Sequence, residues 1–152
     1  MRPFEPADQD VVFRLINAGL AQRFGTADES LNPDIYDIQA HYVDQDAVFL
    51  VVEDTAGVII GCGALIHENG SDEIARIVRV SVREDHQGRG LGRKISMALL
   101  DEAREKGYQR VLVETNADWT SALCLYKSLG FTEDSRTPGA FDYTEVNMSL
   151  NL

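Results

Sequence analysis

The sequence lacks the features that mark membrane, secreted and disulfide-rich proteins. It contains no run of about 18 apolar residues, so no transmembrane helix is expected. The first residues are followed by acidic side chains instead of an apolar segment, which argues against a secretory signal. The only two cysteines, Cys62 and Cys124, provide no disulfide framework, and we interpret both as buried small residues. We therefore expect a cytoplasmic protein that is not attached to a membrane.

Metal sites and nucleic-acid-binding surfaces also find little support in the composition. The three histidines, His41, His67 and His86, are scattered without metal-ligand spacing, so we expect no bound metal. The formal net charge is -11, and nucleic acid is not an expected partner because phosphate binding requires clustered cations. The acidic balance would favour the approach of a cationic partner, although solubility alone is a sufficient explanation.

The hydrophobic pattern predicts a single α/β domain that spans residues 1–152. The composition, 44% hydrophobic and 26% charged, is that of an ordinary globular protein. Periodicity and turn residues predict the order β-α-α-β-β-β-α-β-α-β and a mixed sheet, with room for one more short strand near Phe131. The predicted strands cover residues 1–5, 47–53, 58–66, 74–82, 111–114 and 143–150, and the predicted helices cover 8–24, 33–43, 91–107 and 118–130.

A glycine-rich segment lies between the predicted strand 74–82 and the helix that follows it. It reads Gln87-Gly88-Arg89-Gly90-Leu91-Gly92. Backbone N–H groups at a helix start lack intrahelical partners and lie at the positive end of the helix dipole. Glycines allow a sharp turn and a close approach of phosphate oxygens, and Arg89 and Arg93 add positive charge. The segment therefore predicts a phosphate site, with an ordinary tight turn as the structural alternative.

Three kinds of phosphate loop can be compared with this segment. The nucleoside-triphosphate loop requires a lysine followed by Ser or Thr, and none is present. The dinucleotide fingerprint requires a third glycine where Arg93 stands, and it follows the first strand of a domain. The third kind fits better, because the segment resembles the Arg/Gln-x-x-Gly-x-Gly/Ala pyrophosphate loop of the GCN5-related N-acetyltransferases (GNAT).

The resemblance extends from about Val48 to Phe131. The family's central strand often ends in a Val-x-Val pattern, which corresponds here to Val80-Ser81-Val82. Its later motif, Ala-x-x-x-Tyr followed by Gly-Phe, corresponds to Ala122 through Tyr126 and to Gly130-Phe131. The resemblance implies a mostly antiparallel mixed sheet flanked by helices in the order given above. It also implies acetyl-CoA as the cofactor and N-acetyl transfer as the reaction.

The resemblance also implies which residues contact coenzyme A. The backbone of Val80 and Val82 would pair with the pantetheine arm as an added strand does. Many family members carry Asn three residues before the motif alanine; here that residue is Trp119, and the nearby Asn116 is an alternative contact. Trp119 could equally pack in the core. The full implied set is Val80, Ser81, Val82, Gln87, Gly88, Arg89, Gly90, Leu91, Gly92, Arg93, Asn116, Trp119, Ala122 and Tyr126.

The implied catalytic residues are Tyr126, Val80 and a carboxylate. Tyr126 would protonate the departing thiolate, although a buried core tyrosine is the alternative. The backbone N–H near Val80 would stabilise the oxyanion. Some relatives place a carboxylate base where this chain has Arg76, which cannot accept a proton. Glu73 and Glu114 are the carboxylates left on the central strands, and each could instead be a solvated charge at a strand end.

Two arginines on the same apolar strand, Arg76 and Arg79, need a partner because an unpaired buried charge is costly. They are candidates to bind a carboxylate of the acceptor, and internal ion pairs are the alternative. The acceptor would then be a small amine, an amino acid or a peptide. A non-catalytic acyl-CoA sensor on the same fold and an O-acyltransferase stay open. Exposed sheet edges are compatible with a homodimer.

Overall fold

A seven-stranded sheet forms the centre of the protein in the computed structural model, which describes residues 1–25, 29–139 and 142–152. The strand order is β1-β2-β3-β4-β5-β7-β6, and only β4 and β5 run parallel to each other. The mixed, mostly antiparallel sheet predicted from the sequence is confirmed. The strands are β1 (Arg2–Pro3), β2 (Val48–Glu53), β3 (Ile59–His67), β4 (Ile74–Val82), β5 (Arg110–Asn116), β6 (Thr132–Pro138) and β7 (Thr144–Asn151).

Helices cover both faces of this sheet and bury two separate cores. On one face, α3 and α4 contribute Ile95, Leu99 and Tyr126 to the core between the helices and the sheet. On the other face α1 and the segment after it pack around Val12, Ile16 and other apolar residues. The apolar residues whose spacing predicted α1 and α3 from the sequence are the residues that these helices bury in the two cores. The helices are α1 (Gln9–Phe24), α2 (Ile38–His41), α3 (Leu91–Glu105) and α4 (Thr120–Ser128).

The segment predicted as one helix over residues 33–43 is broken into shorter pieces. A 3-10 turn covers Pro33–Tyr36, α2 covers four residues, and a second 3-10 turn covers Val43–Gln45. Asp37 interrupts the run with φ -145° and ψ 82°, and its carboxylate accepts a hydrogen bond from the backbone N–H of Ala40 at 3.0 Å. The helix prediction was wrong here because an aspartate side chain that bonds the backbone starts a new turn.

The pairing of β4 with its two neighbours is irregular, and this irregularity creates the cleft described below. Strands β4 and β5 pair only between Ile74–Arg76 and Arg110–Leu112, after which they separate. On the β3 side the register shifts between Cys62 and Ala64, where Arg79 adopts a φ of 58°. The bulge places two consecutive residues, Val78 and Arg79, on the α1 face of the sheet. Val80 and Val82 therefore lie on the α3 face.

The two cysteines occupy different environments. Cys62 on β3 is buried, and burial raises the pKa of its thiol to about 12. Cys124 on α4 is exposed, so the prediction that both are buried was wrong for this residue. Residues two apart on a helix do not share a face, and α4 directs Tyr126 inward instead.

The described part of the chain has neither a helix that could span a membrane nor a cluster of side chains that could hold a metal ion. No helix there is long and apolar enough to cross a bilayer. No group of three or more His, Cys, Asp or Glu side chains in the same residues could hold a metal ion. Strands β1 and β6 form the sheet edges, and pairing of either edge in a homodimer stays a prediction.

Candidate functional site

The cleft between the diverging strands β4 and β5 is the candidate site. It encloses about 290 Å³. Its walls come from the later turns of α1, from β4 and β5, from Trp119 just before α4, and from Leu125 and Tyr126 in the second half of α4. Among the described residues, the β4 edge that faces β5 has no strand partner beyond Arg76. The backbone groups of residues 77–82 that point away from β3 are therefore open to an extended ligand, apart from the Val82 carbonyl, which accepts from Gln87.

The glycine-rich segment lies at one end of this strand and presents free backbone donors. Gly88 and Gly90 have φ of 73° and 77°, a conformation that costs other residues free energy. Helix α3 begins at Leu91, and its first backbone hydrogen bond runs from Lys94 N–H to the Gly90 carbonyl at 3.0 Å. The N–H groups of residues 91–93 therefore have no intrahelical partner, which is the arrangement that binds phosphate.

Side chains around the loop hold it in place or add charge. The amide nitrogen of Gln87 donates to the Val82 carbonyl at 2.9 Å and to Oε1 of Gln22 at 3.0 Å. Arg93 donates to the Ser128 hydroxyl at 2.6 Å, and Arg89 forms no ion pair with any residue that the structure describes. The hydrogen bonds of Gln87 thus fix the position of the loop. Arg89 is a positive charge without an acidic partner among the described residues, and it lies next to the unpartnered N–H groups.

The predicted strand residues occupy both faces of β4 next to the cleft. Val80 and Ser81 line it, whereas Val82 lies beyond it and its carbonyl accepts from Gln87. Helix α1 packs closely on this strand at Gly19. A Cβ atom added to Gly19 would lie 3.5 Å from the Ser81 hydroxyl oxygen. On the α3 side a Cβ on Gly63 would come within 2.6 Å of Ile95. Close packing of both neighbours therefore holds the backbone at Val80 in position.

Tyr126 reaches the cleft from the buried side of α4. Its ring packs against Phe131 at 5.5 Å between centroids. Burial raises the pKa of the phenol to about 12, and the positive charge of Arg23 acts in the opposite direction. The phenol is therefore protonated at any ordinary pH and can donate a proton. Thr115 on β5 also lines the cleft, and its buried hydroxyl oxygen has no hydrogen-bond partner among the residues that the structure describes.

The two carboxylates predicted as candidate bases lie far apart. Glu114 on β5 lines the cleft, and burial, followed by repulsion from Glu145, raises the pKa of its carboxyl group. Glu73 lies in the turn before β4, where its side chain accepts a hydrogen bond from Gln109 at 3.0 Å. About seven strand residues separate Glu73 from Val80, or roughly 23 Å. The structure brings Glu114, and not Glu73, together with Tyr126.

The two strand arginines are bound within the protein. The Arg76 guanidinium donates two hydrogen bonds to Glu68 at 2.7 and 3.1 Å. Arg79 donates to both carboxylate oxygens of Asp34, at 2.9 and 2.6 Å, and to Asn32 at 2.8 Å. Both arginines line a second hollow of about 510 Å³ that shares Glu114 with the cleft. Each arginine is therefore already neutralised by a carboxylate of this chain.

The remaining predicted contacts fall into two groups. Trp119 lines the cleft and packs edge-on against Phe24 at 5.1 Å. Asn116 is buried, and its side-chain oxygen accepts from the Asp118 N–H at 2.9 Å, which forms the turn after β5. Ala122 packs against the α3-side core. Neither Asn116 nor Ala122 lies among the residues that line the cleft.

The charged cleft residue that the sequence analysis missed is Arg23. Arg23, in the last turn of α1, places its guanidinium carbon 4.8 Å from the centre of the Trp119 ring. Basic residues are common at helix C-termini, where they favour the dipole, so no sequence signal distinguishes it. Thr115 was noted only as a neighbour of Asn116.

Comparison with known proteins gives a consistent family assignment. The family model described as "Acetyltransferase (GNAT) family" matches residues 15–131. The Escherichia coli protein named "Uncharacterized N-acetyltransferase YjgM" is 28% identical over 99% of this chain and 92% of its own length. The E. coli "L-amino acid N-acyltransferase MnaT" is 33% identical over 59% of this chain. The chain spans about half the length of MnaT and of several other curated N-acetyltransferases that it matches.

A solved structure extends the comparison to the fold. YncA from Salmonella typhimurium, solved with its cofactor acetyl-CoA, is similar to this chain with a TM-score of 0.80. The two share 25% identity, and the match covers 99% of this chain and 92% of YncA.

Proposed function

The chain belongs to the acetyltransferase (GNAT) family, and we propose that it transfers an acetyl group from acetyl-CoA to a primary amine by direct attack in a ternary complex. The observation that carries the proposal is the cleft itself. One strand, β4, leads from the cleft that is lined by Tyr126 and Glu114 to the loop with unpartnered backbone N–H groups at the start of α3. A donor and an acceptor could therefore meet without a covalent enzyme intermediate.

Binding of acetyl-CoA would use mainly backbone groups of this chain. The N–H groups of residues 88–93 would hold the pyrophosphate, and the unpaired edge of β4 would pair with the amides of the pantetheine arm. The unpartnered hydroxyl of Thr115 supports the fit, because a buried polar group without a partner is rare unless a ligand supplies one. The Val80 N–H would donate to the thioester oxygen as negative charge develops there.

Proton transfer would use two side chains that line the cleft. Glu114 would take the proton from the acceptor ammonium, directly or through a water, and its raised pKa suits that role. Tyr126 would give its proton to the departing thiolate. We propose Glu114 in place of Glu73, because Glu73 is bonded to Gln109 at the far end of β4.

The acceptor is proposed only as a small molecule, amino acid or peptide that carries a primary amine. MnaT is named for L-amino acids, and solved neighbours include a spermidine N-acetyltransferase from Vibrio cholerae, so both zwitterionic and cationic amines deserve testing. Arg76 and Arg79 already form ion pairs with carboxylates of this chain, and this weakens the hypothesis that they bind a carboxylate of the acceptor. They would instead shape the wall next to Glu114.

The test is release of CoA thiol from acetyl-CoA across a panel of amines, with mass spectrometry of the acceptor. The proposal predicts release that depends on an added amine, and a product heavier by one acetyl group. Tight acetyl-CoA binding without release for any amine would favour the alternative, a non-catalytic acyl-CoA sensor. Acetylation of a hydroxyl in place of the amine would favour the O-acyltransferase alternative.

A further inference from the structure

Arg23 is a cation inside the candidate cleft. It extends from the last turn of α1 and lines the same cavity as Glu114 and Tyr126. Its guanidinium lies over the Trp119 ring, with 4.8 Å between the guanidinium carbon and the ring centroid. One terminal nitrogen is 3.5 Å from the Val80 carbonyl oxygen, which is at the outer limit of a hydrogen bond. Within the described parts of the chain, the guanidinium makes this one long hydrogen-bond contact and the cation–π contact with Trp119.

The electrostatic situation of Arg23 differs from that of the other two arginines of the region. Arg76 and Arg79 each bind a carboxylate at 2.7 and 2.6 Å. Arg23 forms no ion pair with any carboxylate in the parts of the chain that the structure describes. The residue is exposed as a whole, yet its guanidinium is enclosed enough that burial lowers its pKa.

Arg23 lines the cleft, is held over the Trp119 ring and has no carboxylate partner among the described residues, so its charge is open to an anionic group of a ligand bound there. The charged phosphates of acetyl-CoA would lie at the glycine loop, and its thioester end is neutral. The acceptor is therefore the remaining source of negative charge near Trp119. Glu114 lines the same cleft and can receive the ammonium group, so one small molecule could satisfy both residues.

We infer that Arg23 binds the α-carboxylate of the acceptor, which makes the acceptor a free amino acid whose α-amine lies toward Glu114 and Tyr126. This inference rests on the proposed function. The neighbours of Arg23 in the cleft include Leu20, Phe24 and Trp119, which favour an apolar or aromatic side chain on the amino acid. Arg23 would then be a specificity-determining residue, and not a proton donor, since arginine does not deprotonate.

The experiment compares the twenty L-amino acids with their α-amides as acceptors for the wild-type protein and for Arg23→Gln. Loss of one charge-assisted contact corresponds to about 10- to 100-fold in kcat/KM. We expect the wild-type protein to prefer the acid over the amide by that factor. In Arg23→Gln the KM for the acid rises until the preference is gone, while kcat/KM for the amide and the Kd for acetyl-CoA change less than about twofold.

Matched variants separate charge from position. Arg14→Gln removes the same charge from an exposed site on the same helix, outside the cleft, and should leave the acid preference intact. Arg23→Lys keeps a cation without the planar fork and should retain part of the preference.

Three results would overturn the inference while leaving the proposed function standing. They are equal use of acid and amide by the wild-type protein, an equal loss for both acceptors in Arg23→Gln, and weaker acetyl-CoA binding in that variant. Absence of turnover with every amine would contradict the proposed function, and the inference would fall with it.

Discussion

The two ends of the proposed acetyl-CoA site, the glycine loop and the cleft, offer different kinds of chemical group. At the glycine loop the available groups are the backbone N–H groups of residues 91–93 and the unpaired edge of β4. At the opposite end the groups are side chains from three elements, namely Arg23 on α1, Glu114 on β5 and Tyr126 on α4. A backbone site depends on local turns and so tolerates many sequences, whereas a side-chain site changes with each substitution. The second end is therefore where the acceptor is selected.

The largest expected effect comes from Glu114→Gln, which removes the proposed base from the side-chain end. General base catalysis typically contributes about 100-fold or more, so kcat/KM for the amine should fall by at least that factor. A base works only when deprotonated, and activity is lost as pH falls through its pKa. Because the Glu114 pKa is raised, this acid limb should lie above the ordinary carboxyl pKa of about 4.3. A pH–rate profile measures it.

Glu73→Gln is the matched control for that variant. It makes the same change on the carboxylate that lies at the far end of β4. The acid limb should disappear in Glu114→Gln and persist in Glu73→Gln. The opposite pattern would restore Glu73 as the base and would mean that the acceptor enters from the other end of the strand.

Tyr126→Phe should have the next largest effect, because it removes the proton donor while keeping the ring that packs on Phe131. We expect kcat to fall about tenfold or more, with little change in the Kd for acetyl-CoA. Steady-state kinetics beside equilibrium binding provide the two numbers. Unchanged turnover would remove Tyr126 from the mechanism and leave it as a core residue.

The glycine-loop end of the site could be predicted from the sequence, whereas most of the side-chain end could not. Strand β4, the glycine loop and α3 follow one another along the chain, and apolar spacing and turn residues predict each of them. The bulge that gives Arg79 a φ of 58° has no local signal, since arginine is not a residue typical of that conformation. Glu68, Asp34 and Arg23 are brought to the site by tertiary packing, and sequence spacing carries no record of which carboxylate pairs with which arginine.

A smaller effect is expected from Gly90→Ala at the backbone end. An alanine at a φ of 77° is strained by about 1 kcal/mol, and relief of that strain would shift the free N–H groups. Acetyl-CoA should bind about tenfold more weakly, as measured by calorimetry. Gly57 in the β2–β3 turn has a φ of 78° and equally open surroundings, so Gly57→Ala is the control for strain alone. Equal affinities in both variants would argue against phosphate binding at the loop.

The smallest effect is expected from Asn116→Ala. Its side chain bonds the Asp118 N–H in the turn after β5, so its loss should destabilise the fold by about 1 kcal/mol. The affinity for acetyl-CoA should change less than about twofold. Thermal unfolding and calorimetry on one preparation separate the two. A large loss of affinity with unchanged stability would return Asn116 to the set of cofactor contacts.

The most direct test of the backbone end is a crystal structure of the protein with coenzyme A. The pyrophosphate should lie within hydrogen-bond distance of the N–H groups of residues 88–93. The pantetheine arm should run along the β4 edge past Val80, with its sulfur facing Tyr126. A pyrophosphate bound elsewhere, or an arm that does not enter the opening between β4 and β5, would contradict the central claim that this cleft is the acetyl-transfer site.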